Sequence, residues 1–251
     1  MKKTLSGLDA FNRIITSVVP DKTSTYTPIS HSSIITKMKQ EIGSAGLIID
    51  SENYQCSQNG EVAIGNYRIN FEFDPDIQMS ASFLNSYNKQ YAFRFGLGSM
   101  VKVCDNGLFI RDAKFGEYKK IHKGEADLLS ESTISNYIKT SHSHWENLKK
   151  FKNDLKNITL SKRDAHEILG ELFFEKDALS TYQLNIVKTH IKKSPIIYSA
   201  PNDSAWVLYN HITQSLKEAH PSEWLDRHLE LSDLFIESLG ITVEPESVAS
   251  L

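Results

Sequence analysis

The stretch 83–111, FLNSYNKQYAFRFGLGSMVKVCDNGLFIR, constrains the fold most. Tyr91, Phe93 and Phe95 alternate with Ala92, Arg94 and Gly96. That period of two puts three aromatics on one face of a strand and Arg94 on the other. Just upstream, Met79, Ala81 and Phe83 alternate with Ser80 and Ser82, and residues 85–90 read as the connection, because Asn and Ser favour turns through local side-chain bonds. Downstream, Val101 and Val103 lead into Asp105-Asn106-Gly107, followed by Leu108 and Ile110. Asn-Gly between two apolar runs predicts a type I′ hairpin turn, whose central residues need positive φ. Gly96 and Gly98 indicate a bulge, a bend or a close backbone approach.

The same pattern extends upstream. Leu47-Ile48-Ile49 begins a strand and Gln58-Asn59-Gly60 reads as a second turn. Tyr67, Ile69, Phe71 and Phe73 then alternate with polar residues until Asp74-Pro75-Asp76, where proline removes a ladder donor. Short connections between successive strands favour an antiparallel meander, with about five strands over 47–111.

Helical spacing flanks this region. Leu8, Phe11, Ile14, Ile15 and Val18 predict an amphipathic helix that either packs on the body or serves as an exchanged arm in an oligomer. Residues 20–30 read as a linker. A second helix starts near Ser32, with Ile34, Ile35, Met38 and Ile42 on one face, and Gly43 and Gly46 stop it. Residues 112–130 are polar and irregular, and from about Ser132 the chain reads helical. Trp145, Leu148, Phe151, Leu155 and Ile158 form an apolar stripe, with Lys149, Lys152 and Lys156 on another face. Ser161 to Asp164 approximates a capping box, Ser180 starts a helix ending near Lys193, Asp203 caps the next, and the last runs from Ser222 to Gly240. The fold class is therefore α+β: a meander of about five strands, N-terminal helices, and a C-terminal set of helices packed on the sheet. The chain divides into a helix and linker at 1–30, a β-rich core with one leading helix at 31–128, and a helical region at 129–251, forming one continuous domain.

The run NSYNKQYAFRFGLGSMVKVCDNGLF resembles the phage- and plasmid-encoded family called domain of unknown function 932. In that family an Asn-Ser pair closes one strand and a Val-Cys-x-Asn block opens the next segment. YTPISHSSIITKMKQEIGSAGLII upstream and LYNHITQSLKEAH downstream extend the likeness over most of residues 26–220. An Arg-His-Thr stretch often follows the Cys-Asn block in the family, whereas this chain offers Lys120-Ile121-His122-Lys123. The resemblance implies a mobile-element setting and carries no reaction with it.

Composition bounds the rest. Hydrophobic residues make up 40% and charged residues 24% of 251, enough for a buried core and too apolar for disorder. No apolar run approaches the ~20 residues that a membrane helix needs. The start MKKTLSGLDAF lacks a long apolar segment of the secretory type. Cys56 and Cys104 are the only cysteines, which fits a reducing compartment and a cytoplasmic location in a host cell. Cys104 reads as a small buried hydrophobe within a strand. Net charge is −3 but uneven: residues 164–251 hold 6 basic and 14 acidic side chains, the remainder 22 and 17. Such asymmetry points to nucleic-acid contact or an acidic partner face.

No catalytic signature, cofactor motif or metal set emerges. His142-Ser143-His144 invites a metal reading, but i and i+2 on a helix diverge, and no cysteine pair accompanies them. Gly96-Leu97-Gly98 lacks the third glycine of a dinucleotide fingerprint, and no Walker motif is present. Asp74 and Asp76 suit a turn better than a cation site. The basic positions offer more. Lys102, Arg111, Lys114, Lys119, Lys120 and Lys123 cluster late in the strands and in the following loop, against Asp105, Asp112 and Glu117, with Arg94 and Lys89 nearby in sequence. On one sheet face they would track a phosphate backbone, with Tyr87 or Tyr91 stacking on bases. A solvated, mixed-charge sheet face is the competing reading.

The leading functional expectation is a non-enzymatic protein that binds single-stranded nucleic acid in phage or plasmid replication, recombination or annealing. The second is an interaction or inhibitor protein that binds a host defence protein. An enzyme with a dispersed site ranks third. Homo-oligomer formation is compatible with each.

Overall fold

The computed structural model describes residues 4–111, 118–220 and 222–243. Its strands are β1 (Thr4–Ser6), β2 (Ile48–Ser57), β3 (Val62–Asn70), β4 (Ile77–Ser86), β5 (Phe93–Val101), β6 (Asn106–Leu108) and β7 (Tyr118–Lys120). All belong to one sheet in the order β1-β2-β3-β4-β5-β6, with β7 also paired to β5. Every pairing described is antiparallel. The helices are α1 (Gly7–Thr16), α2 (His31–Ser44), α3 (Ala126–Lys139), α4 (Ser141–Asn157), α5 (Lys162–Gly170), α6 (Thr181–Lys192), α7 (Ala205–Leu216) and α8 (Trp224–Leu239). The fold is α+β, and the meander over 47–111 has five strands, β2 to β6, in chain order.

The chain forms two compact units. The first comprises Met1–Phe73, Gln78–Leu97 and Glu117–His142. Here the Gln58-Asn59-Gly60 turn forms as expected, with Gly60 at φ 73° and its N–H bonded to Ser57 O at 2.8 Å. It sets the β2–β3 register that pairs Cys56 with Ala63 and Tyr54 with Gly65. Ala63, Tyr67 and Ile69 are buried on one face of β3, and α1 and α2 pack on β2. Ile34, Ile35, Met38 and Ile42 form the buried face of α2, whose N-cap Ser30 accepts from Ser33 N–H. The first helix behaves differently: it buries Ala10 and Ile14, while Leu8, Ile15 and Val18 are exposed.

The second unit comprises Asp74–Ile77, Gly98–Gly116 and Ser143–Leu251. Its centre is α7, where Trp206, Tyr209, Ile212 and Leu216 are all buried. A helix this uniformly buried is a core element and is enclosed by its neighbours. Tyr209 meets Phe151 of α4 and Phe235 of α8 edge to face, at 5.9 and 5.3 Å between ring centres. The expected capping box at Ser161 forms with Asp164 as the reciprocal partner, and Ser180, expected only as a helix start, forms a second with Gln183. Gly240 ends α8 in the left-handed conformation at φ 63°.

Several local expectations are corrected. Asn85 and Ser86 end β4, so the connection is 87–92. The β5–β6 turn occupies 102–105, not Asn106-Gly107, and Asp105 supplies the positive φ, 55°. Asn106 and Gly107 are strand residues paired with Val101 and Met100. Gly107 is glycine for another reason: a Cβ there would lie 2.7 Å from the Trp224 ring. Gly96 and Gly98 both lie within β5, and the close approach is at Gly98, where a Cβ would meet the Phe109 ring at 2.4 Å. A third helix begins at Ala126, earlier than the polar sequence suggests, and Ser204 rather than Asp203 caps α7. α5 continues into a π-helical turn, Glu171–Glu175, that periodicity did not foresee.

Candidate nucleic-acid interface

The first unit brings three segments together. The Tyr26–His31 segment, the end of β4 with its connection to β5, and the exit of β7 meet around a buried polar cluster. Asn85 Nδ2 donates to Ile29 O at 2.7 Å and faces His31 Nδ1 at 2.8 Å. The His31 ring stacks on Tyr87, 3.7 Å between centres and 18° between planes, and His31 N–H donates to the Tyr87 hydroxyl at 2.9 Å. Tyr26 donates its hydroxyl to Tyr87 O at 3.0 Å. The Tyr26 ring lies 5.7 Å from the buried His122 ring, and Thr27 N–H donates to His122 O at 3.0 Å. Ser86 closes the connection: its hydroxyl donates to Tyr91 O at 2.8 Å and accepts from Tyr91 N–H at 3.0 Å.

Burial keeps these histidines neutral. It depresses the His31 pKa to about 3, against the opposing pull of backbone groups at Gly60 and Glu61. It lowers His122 as well, with backbone groups of Tyr91 and Thr27 pulling the other way. A neutral, hydrogen-bonded cluster of this kind holds loops in place and supplies no charge of its own.

Charge is carried by lysines around the cluster. Lys89, in the connection at φ 63°, lays its Nζ 4.5 Å from the centre of the Tyr26 ring. β7 pairs with the start of β5, so that Arg94 stands opposite Lys119 and Phe93 opposite Lys120. Opposed residues of an antiparallel pair share a face, which places Arg94 and Lys119 side by side. Lys123 follows His122 and is exposed. Among the described residues, no carboxylate pairs with Lys89, Lys119, Lys120 or Lys123.

The nine residues singled out from the sequence therefore separate. Arg94, Lys119, Lys120, Lys123 and the half-buried Tyr91 lie in the first unit, around one end of β5 and β7. Tyr87 is in the same place but buried, with one ring face taken by His31. Lys102 and Arg111 belong to the second unit. Lys102 Nζ donates to Asp74 O at 2.6 Å, and Arg111 pairs with Asp233. Lys114 lies outside the described residues. Sequence reasoning passed over Tyr26, His31 and Asn85, although Tyr-x-Pro and Asn-Ser were their visible signals.

Other candidate chemistry resolves into structure. Asp74 accepts from the N–H groups of Asp76 and Ile77 at 2.9 and 3.0 Å and pairs with Lys152 at 2.5 Å. Asp76 pairs with Lys156 at 2.8 Å and accepts from Ser199. Burial pushes the Asp76 carboxyl up, but the hydrogen bonds of Lys156 and Ser199 and the lysine charges carry it below the ordinary range. His142 is exposed, 3.1 Å from Glu72 Oε1, whereas His144 is buried, as diverging i and i+2 positions require. The buried Cys104 donates to Asn210 Oδ1 at 3.6 Å, and burial pushes its thiol up.

Comparison with protein-family models finds one described as Domain of unknown function (DUF932), matching residues 22–229. The chain belongs to the DUF932 family. Comparison with curated proteins and with solved structures returned no match. The DUF932 segment contains the whole polar cluster and the four lysines around it. Within it, the Asn-Ser pair and the Tyr-x-Pro segment clamp one another. The Val-Cys-x-Asn-Gly block is also a clamp: Asn106 Nδ2 donates to Asn210 O at 3.0 Å, and Lys217 donates to Cys104 O.

Proposed function

We propose that this DUF932 chain binds single-stranded nucleic acid, without enzymatic activity, through the basic end of its first unit, and acts in replication, recombination or annealing of a phage or plasmid. The observation that carries the reading is a set of cations at one end of the first unit: Lys89 over the Tyr26 ring, Lys123 next to the buried His122, and Lys119 and Lys120 on β7, the first beside Arg94, with no carboxylate partner for these four lysines among the described residues. Lysines held on a rigid frame without counter-charges suit phosphate oxygens, and Tyr91 beside them is partly exposed for stacking. Lys102, Arg111 and Tyr87 have no part in it, because their side chains are engaged elsewhere.

Lysines on an edge strand also discourage strand-to-strand association, a purely structural role. Fluorescence anisotropy with labelled single strands separates the two. Binding at low salt that weakens as salt rises supports the nucleic-acid reading, and absence of binding at low salt leaves only edge protection.

A further inference from the structure

The second unit encloses a cavity of about 280 Å³ between the start of α5, the end of α6 and the start of α7. Two helices open onto it with their positive ends, through the N-cap residues Ser161 and Ser204. Lys162 and Lys192 stand at its rim, and among the described residues Asp203 is the one carboxylate that lines it. Leu160, Val207 and Leu208 make the inner wall apolar. His211 lines the cavity while only 3% exposed, and its Nδ1 has no hydrogen-bond partner. His190, also in the lining, faces it with ring centres 5.7 Å apart, and its Nδ1 is likewise without a partner. Tyr198 closes the other side of His211 at 5.8 Å.

Both imidazoles line the cavity, and neither is held by a hydrogen bond through Nδ1, so a turn of either ring that brings a nitrogen to the cavity breaks no bond there. Two helix N-termini and two lysines against one aspartate make the favoured ligand charge negative. The apolar wall asks for a body as well as a head group. We propose that this cavity binds a small organic oxyanion, an apolar body carrying one carboxylate or phosphate, with His211 and His190 hydrogen-bonded to the head group. The site is separate from the nucleic-acid interface and stands or falls independently of it.

Proton linkage gives the proposal a second readout. Burial, with the neighbouring His190 second, holds the free His211 at a pKa of about 4. Lys162, Lys192, His190 and Asp203 are the charged or titratable groups that share the cavity with it, and Tyr198 packs on its far side. A bound anion raises the His211 value, so affinity increases as pH falls.

The test is calorimetric titration of the full chain with benzoate, phenyl phosphate, inorganic phosphate and benzyltrimethylammonium. Saturable one-to-one binding of benzoate, at least threefold tighter at pH 5.5 than at pH 7.5, is expected, with no binding of the cation. Phenyl phosphate binding without benzoate binding would assign the head group as phosphate, and binding of inorganic phosphate alone would overturn the requirement for an apolar body. H211Q should reduce the pH dependence, leaving the part that His190 supplies. A second variant that leaves the buried residues alone, K162E/K192E, altered only at exposed positions, should weaken benzoate at least fivefold. Equal binding of the cation, or benzoate affinity indifferent to K162E/K192E, would overturn the proposal.

Discussion

Lys152 Nζ lies 2.5 Å from Asp74 Oδ2, and both side chains are buried. The lysine comes from the face of α4 that also carries Lys149 and Lys156, apart from the apolar stripe. Asp74 also binds two backbone N–H groups, so its carboxylate is fixed whether or not the lysine is present. Removing one partner of a buried pair leaves an uncompensated charge and costs about 3–5 kcal/mol. K152M is therefore expected to lower unfolding free energy by about 3 kcal/mol or more in urea titration. Lys150 pairs with Asp154 at the surface, 2.9 Å apart, and K150A should cost under about 1 kcal/mol. Equal effects of the two substitutions would contradict this account.

Gly98 has no room for a methyl group. Its Cβ would stand 2.4 Å from the Phe109 ring and 2.8 Å from Leu108 O, a backbone atom that cannot rotate away. G98A should destabilise by about 1–3 kcal/mol, the usual cost of overpacking. By contrast, Gly43 lies within α2 with open space around its Cβ position, and G43A should be neutral or stabilising. Thermal unfolding of both variants checks the pair.

Acid should destabilise the protein through its buried histidines. Burial holds His31 at about 3, and His211 and His228 at about 4, against an ordinary value of 6.5. Between those limits the unfolded chain binds more protons than the folded one, so stability falls as pH drops from about 6.5 towards 4. His228 is fully buried, with Nδ1 2.8 Å from Trp224 O, as a donor to that carbonyl. H228Q should flatten the Tm-against-pH curve over that window while lowering Tm at pH 7. An unchanged slope would show that other groups set the acid limit.

Element order and type were legible because periodicity reports which face is buried. The five strands of 47–111, the α2 face and the Ser161 capping box follow from spacing alone. The Gln58-Asn59-Gly60 turn was legible too, but the place of the β5–β6 turn was not, because tertiary contacts overrode local propensity. Asn106-Gly107 would turn in isolation, but Asn106 is needed to bind Asn210 and Gly107 to admit Trp224. The basic positions were legible as residues and not as a group. Lys119 comes to stand beside Arg94, and Lys120 opposite Phe93, only because β7 returns to pair with β5, a three-residue strand with no alternation to announce it. Lys102 and Arg111 looked equivalent in sequence, and their partners Asp74 and Asp233 are distant along the chain.

The most direct test is the salt dependence of single-strand binding by the native chain and by K119A/K120A/K123A. Each lysine that meets a phosphate contributes ~0.7 to the slope of log affinity against log salt. The triple variant should bind more weakly, with a slope shallower by about 2, and should keep the native Tm within a few degrees. Native affinity and an unchanged slope in the triple variant would contradict the assignment of this surface to nucleic acid.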